Sequence, residues 1–184
     1  MNKKIFVHLY QDLINIFQNC FAVEYNTRLL KGDNEPIYLP AEEGRAHHTL
    51  FFAHGFFSSA LHECAHWLIA GEERRKQVDF GYWYVPDGRN TKQQALFQQV
   101  EVKPQALEWI LSKATGYKFY MSIDNLNGVT PDIETFKQAI YNQVAHYCKQ
   151  GLPQRAQKFR DALCSFYGQP TVLRIEDFSL TELK

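Results

Sequence analysis

The pentapeptide His62-Glu63-Cys64-Ala65-His66 constrains this chain more than any other stretch of it. Residues four apart share one face of an α-helix, so two imidazoles spaced this way can converge on a single divalent ion. Glu63 lies three residues before His66, near enough to reach the open side of such an ion. The competing reading is a helix whose histidines are merely packed or solvated. The flanks favour a helix buried in the core: Ala60, Leu61, Ala65, Trp67, Leu68, Ile69 and Ala70 make it apolar nearly all round. Buried imidazoles need a partner, and a metal is the usual one. Ser58 and Ser59 are candidate N-caps and Gly71 a candidate left-handed C-cap. Upstream, residues 49–53 read as a short buried strand, with His54-Gly55 as the bend into the helix. Downstream, residues 72–76 read as a solvated surface of mixed sign.

Bulk properties narrow the partners. In 184 residues, 20 basic and 20 acidic side chains balance, which leaves no broad electrostatic footprint for nucleic acid or membrane. Cys20, Cys64, Cys148 and Cys164 are scattered without a Cys-x-x-Cys pair, which suits reduced thiols in a cytoplasm. Cys64 reads as a small packing residue on the far side of its helix. Ile5, Leu9, Leu13 and Phe17 recur every fourth residue, the pattern of an amphipathic helix and not of a signal peptide. No stretch is long and apolar enough to span a membrane. The expectation is a soluble, cytoplasmic protein.

The rest of the chain reads as one domain over residues 1–184. Residues 78–85 suggest an aromatic strand, and 86–89 a tight turn. Asn90 or Thr91 caps a helix that Pro104 should interrupt near Val102. A second helical run then carries Leu107, Ile110, Leu111 and Ala114 to a stop at Gly116. Residues 118–123 suggest a further strand. Thr130-Pro131-Asp132 is a helix start, with Phe136, Ile140, Val144 and Tyr147 as the apolar stripe and Gly151 as the stop. Pro153 opens a last helix to Gly168, and His146 reads as a packed side chain. The segment after Gln169 carries no readable signal. The sum is an α+β fold: a compact, mainly helical single domain with a small sheet and a buried His-Glu-x-x-His helix.

Two histidines need a third protein ligand to make an open catalytic site. Glu101 is the choice, because a helix would set it among core-facing neighbours, where an ionised carboxylate is expensive without a cation. Glu108, Asp79 and Asp87 are its rivals. Two histidines and a carboxylate serve two chemistries: zinc with one activated water and Glu63 as base, or ferrous iron with several open positions for dioxygen and substrate. Glu63-x-x-His66 is a lone Glu-x-x-His element, so a ferritin-like di-iron bundle is not expected. The pentapeptide taken alone leans towards a zinc metallopeptidase.

Longer blocks shift that balance. Residues 53–67 (AHGFFSSALHECAHW), 78–84 (VDFGYWY) with 86–89 (PDGR), 100–107 (VEVKPQAL) and 36–40 (PIYLP) strongly resemble the bacterial elongation factor P hydroxylases. The resemblance implies an oxygenase, a protein-lysine hydroxylase, acting on one lysine of elongation factor P after that lysine has received a β-lysyl group. It implies Fe2+ on His62 and His66, with Glu101 as the carboxylate ligand and dioxygen as co-substrate; zinc is the alternative metal. Glu63 would then be a catalytic acid beside the metal or an additional ligand. Because the substrate loop is cationic, Tyr82, Tyr84, Asp79 and Asp87 are candidates to receive it.

Overall fold

Leu13, Ile16, Phe17, Cys20 and Phe21 recur on one side of helix α1 (Tyr10–Phe21) and are buried there. The computed structural model describes residues 7–80, 87–123 and 132–183. Leu9, expected on the apolar stripe, instead caps α1 from an extended conformation and is exposed. After α1 come β1 (Thr27–Lys31), β2 (Ile37–Leu39) and β3 (His48–Phe52). Helices α2 (Phe57–Ile69), α3 (Thr91–Thr115), α4 (Ile133–Gln150) and α5 (Gln154–Tyr167) follow. The three strands form one sheet in the order β1-β3-β2. β1 runs parallel to β3 with Leu29 opposite Leu50, and β2 runs antiparallel to it with Tyr38 opposite Leu50. The short apolar run at 49–53 is thus the central strand, as its composition predicts.

α1, α2 and α5 meet in an aromatic cluster. The ring of Phe17 lies 4.9 Å from Phe21, 5.1 Å from Trp67 and 5.7 Å from Phe159, centroid to centroid. These edge-on arrangements are ones that ring quadrupoles favour. Trp67 adjoins His66, so this cluster fixes the helix that carries the pentapeptide.

The entry to α2 differs from the expectation. Phe56 is the N-cap and provides no side-chain hydrogen bond. The Ser59 hydroxyl instead accepts from the Ala53 backbone N–H at 3.0 Å, closing the bend between β3 and α2. His54 and Gly55 both take positive φ, 54° and 77°. A Cβ on Gly55 would also come within 3.1 Å of the Tyr10 ring. Gly55→Ala is therefore expected to lower stability by about 1–2 kcal/mol, the cost of forcing a side chain into the left-handed region. A shift in the urea midpoint checks it, and an unchanged midpoint would contradict it. At the other end α2 stops at Ala70 in an extended conformation, and Gly71 has no left-handed role.

α3 is one helix of 25 residues, with Pro104 inside it. The expected break does not occur. α3 packs against α2, α4 and α5, and burial along so many sides outweighs the roughly 3 kcal/mol that an internal proline costs. Its start obeys the sequence: Asn90 accepts from the Gln93 N–H, and the Gln93 side chain returns a bond to the Asn90 N–H. Gly116 ends it at φ 71°. α4 starts two residues later than Thr130-Pro131 implied, with Asp132 as the cap accepting from the Thr135 N–H. Thr130 and Pro131 themselves lie outside the described residues. Gly151, Pro153 and Gly168 delimit α4 and α5 as expected.

Neither proposed later strand forms as read. Residues 118–123 are not a strand; the Gln105 side chain holds them against α3 by donating to the Ser122 carbonyl and accepting from its N–H, at 2.8 and 3.1 Å. Of 78–85, Asp79 makes an isolated antiparallel bridge to Tyr38, and 81–85 lie outside the described residues. The segment after Gln169 is also more ordered than its composition suggested. It forms two short 3-10 turns and buries Phe178 and Leu183, with Phe178 edge-on to Trp109 at 5.0 Å. Among the described residues no helix is long and apolar enough to cross a membrane.

Candidate metal centre

α2 and α3 pack side by side, and partners pair in opposite order along them: His62 meets Glu108 while His66 meets Glu101. The helices are therefore antiparallel at this point. One face of α3 carries a buried polar row at helical spacing: Gln94, Glu101, Gln105, Glu108 and Ser112. Polar groups are rarely left bare in a core, and three of these are turned to work at the centre or just beside it.

His62 and His66 converge as their spacing demands. Their Nε2 atoms are 3.1 Å apart, and Glu101 closes the third side. Its Oε1 lies 3.3 Å from His66 Nε2 and its Oε2 3.7 Å from His62 Nε2. These three residues form a group able to hold a metal ion. The donor set fits one. Two ring nitrogens this close must share a proton or a cation between them, since two lone pairs cannot face each other. Ligands about 2.1 Å from an ion sit roughly 3.0–3.4 Å from one another, close to the spacings seen. Glu101 is 1 % exposed as a side chain and His66 7 %, whereas His62 keeps 25 %. The approach to the cluster from solvent is therefore on the His62 side.

Glu108, a rival for the ligand role, lies elsewhere. Its Oε2 accepts from or pairs with Nδ1 of His62 at 2.8 Å, the nitrogen that faces away from the cluster. Burial works against a charged His62 ring, but the Glu108 carboxylate, with help from Glu101 and Glu63, pushes its pKa up to about 10. Burial acts on Glu108 and Glu63 in the opposite sense and raises both carboxyls. Without a cation the rise at the imidazole is the direction we hold for this pair; a metal on Nε2 would displace that proton and leave the ring neutral, with Nδ1 still facing Glu108. A ring N–H aimed at a carboxylate oxygen from 2.8 Å is the geometry of a charge-assisted bond.

Glu63 is buried but does not join the three-residue cluster. It lines a neighbouring cavity with His66, Tyr38, Trp67, Arg74 and Asp79. No hydrogen bond links its carboxylate to a described residue, and burial favours its protonated form. Asp79, another rival, is ion-paired with the Arg74 guanidinium instead. Arg74 is thereby removed from the solvated surface expected over 72–76, and Arg75 donates to the Ala70 carbonyl at 2.7 Å. Asp87 is exposed and accepts from the Gly88 N–H in the turn. Tyr82 and Tyr84 lie outside the described residues. Cys64 is fully buried, and burial raises its thiol pKa well above the ordinary value, as suits a packing residue.

Two residues near the centre escaped the sequence reading. Gln105, one turn beyond Glu101, clamps residue 122 as described above. The fully buried Arg89 donates to Gln94 and to the Ile123 carbonyl, and stacks over Phe97 at 4.0 Å. Together they tie two loops to the part of α3 that presents Glu101. Nothing in a lone arginine after a Pro-Asp-Gly turn signals burial, so only the fold could identify it.

A family model described as elongation factor P hydroxylase matches residues 16–178. An elongation factor P lysine hydroxylase of Haemophilus influenzae is 55 % identical over 174 residues, covering 95 % of this chain and 98 % of that protein. A match spanning nearly the whole of both chains, at more than half identity, shows that the chain belongs to the elongation factor P hydroxylase family.

Proposed function

We propose that this protein is a metal-dependent hydroxylase of elongation factor P that acts on a lysine carrying a β-lysyl group, with His62, His66 and Glu101 holding ferrous iron. The observation that carries it is the convergence of those three side chains, two of them buried, at 3.1–3.7 Å, in a chain of that family. An unactivated carbon–hydrogen bond offers no acidic proton, so acid–base groups alone cannot hydroxylate it. The metal, when bound, supplies the dioxygen chemistry that the side chains lack. In balance, one oxygen atom of dioxygen enters the carbon–hydrogen bond and the other leaves as water. Two electrons from an external reductant and two protons complete it.

The chain's own residues do the rest. Two imidazoles and one carboxylate would hold the ion, and the part-exposed His62 marks the side from which substrate would reach it. Glu108 supports His62 from behind. Glu63 lies beside His66, where burial shifts its carboxyl towards the neutral form, and is the group placed to hold a proton near the centre. Substrate and translation machinery share the cytoplasm, which is where the protein would act.

The test is direct. Iron-loaded protein, dioxygen and a reductant are expected to add the mass of one oxygen atom to β-lysylated elongation factor P, and exhaustive chelation should abolish that gain until ferrous ion is restored. An unchanged substrate mass with verified iron loading would refute the proposal. A zinc metallopeptidase reading of the same motif predicts peptide cleavage that Glu63→Gln removes. The family match does not favour it.

A further inference from the structure

Glu108 stands one heptad beyond Glu101 on α3 and is also buried, yet it lies outside the three-residue cluster. Among the described residues its hydrogen bond is the one to His62 Nδ1, at 2.8 Å. A carboxylate taken out of water is costly unless something compensates it, and here the compensation is a single ring nitrogen. From this geometry we infer that Glu108 is the positioning residue of the metal centre. It holds the His62 ring with its proton on Nδ1, and so keeps the Nε2 lone pair turned toward His66 and Glu101.

The chemistry permits little else. An ionised carboxylate only accepts, so Nδ1 must donate. A neutral imidazole with Nδ1 protonated has its remaining lone pair on Nε2, the atom that faces the cluster. A carboxylate behind a ligating ring also makes the ring a stronger donor to a cation. The second histidine has no such support: His66 Nδ1 is buried with no hydrogen-bond partner among the described residues. The two imidazoles are therefore unequal. His62, although the more exposed, is anchored and electron-rich, while His66 is held by the packing around it. This arrangement lets the open side of the centre stay accessible without leaving its outer ligand free to rotate.

The inference rests on His62 being a ligand, and its test does not use hydroxylation. Ferrous ion under anaerobic conditions, and cobalt(II) as a spectroscopic probe, are titrated into the full-length protein against a competing chelator. Glu108→Ala is expected to weaken both ions about 10–100-fold and to shift the visible cobalt bands. Glu108→Gln keeps an oxygen that accepts from Nδ1–H and should lose less; it also carries the test if the alanine variant does not fold. Affinities indistinguishable from wild type in both variants would overturn the inference. So would a lower melting temperature of the metal-free variants with unchanged affinity, the signature of a mere strut between α2 and α3. Loss of binding in Glu108→Gln as complete as in Glu101→Gln would make Glu108 a ligand and overturn it too. If wild type shows the expected affinities but leaves elongation factor P unchanged, the proposed activity fails and the role of Glu108 stands. If wild type binds neither ion, both fail.

Discussion

His66→Ala is expected to remove bound metal and hydroxylation together while the metal-free fold persists. His66 sits at the meeting point of the cluster, 3.1 Å from His62 and 3.3 Å from Glu101. Its loss leaves one imidazole and one carboxylate, too few donors for an open three-ligand site. The fall in activity should exceed the roughly 10–100-fold that loss of an outer-sphere partner brings. The fold should survive because α2 is held mainly by apolar neighbours: Ala60, Leu61, Cys64, Ala65 and Leu68 are all buried. Metal analysis, turnover and circular dichroism on one preparation check all three parts. Wild-type metal content in the variant would end the ligand assignment, and global unfolding would show the ion to be structural.

Phe17→Ala is expected to destabilise the protein by about 3–5 kcal/mol, a large share of the roughly 5–15 kcal/mol that holds a domain of this kind together. Phe17 is fully buried and touches rings from three helices, Phe21, Trp67 and Phe159. Truncation loses the transfer energy of the ring and opens a void that fixed helices cannot close. Urea denaturation measures it, and a loss below about 1 kcal/mol would mean that the site collapses with ease. Because Trp67 adjoins His66, a saturating metal should recover part of the lost stability through linkage if the native state alone binds it.

Much of the fold was legible where local chemistry dominates. The caps at Asn90, Gly116, Gly151 and Gly168 could be read because a side-chain acceptor or a missing Cβ acts within a few residues. Pro104 misled for the opposite reason: its local penalty is real, but α3 is buried along most of its length and packing overrides it. β1 and β2 escaped because a strand of three to five residues has little periodicity of its own and depends on partners far away in the chain. The tail after Gln169 escaped because Phe178 and Leu183 bury against helices that no local pattern reveals.

The same division holds at the centre. Sequence alone placed His62 and His66 on one helical face and named Glu101 as the carboxylate to join them, since helical spacing and the cost of a buried charge are both short-range facts. It preferred Glu101 to Glu108 from the apolar neighbours of Glu101, but could not say which atom either would meet, because the two occupy one stripe of α3 and differ only in where the antiparallel α2 meets it. The tertiary structure decided that: the register of two packed helices puts Glu101 against the inner ring nitrogens and Glu108 against an outer one. Spacing along a helix determines which side chains share a face, and only packing determines which atom of a neighbour that face meets.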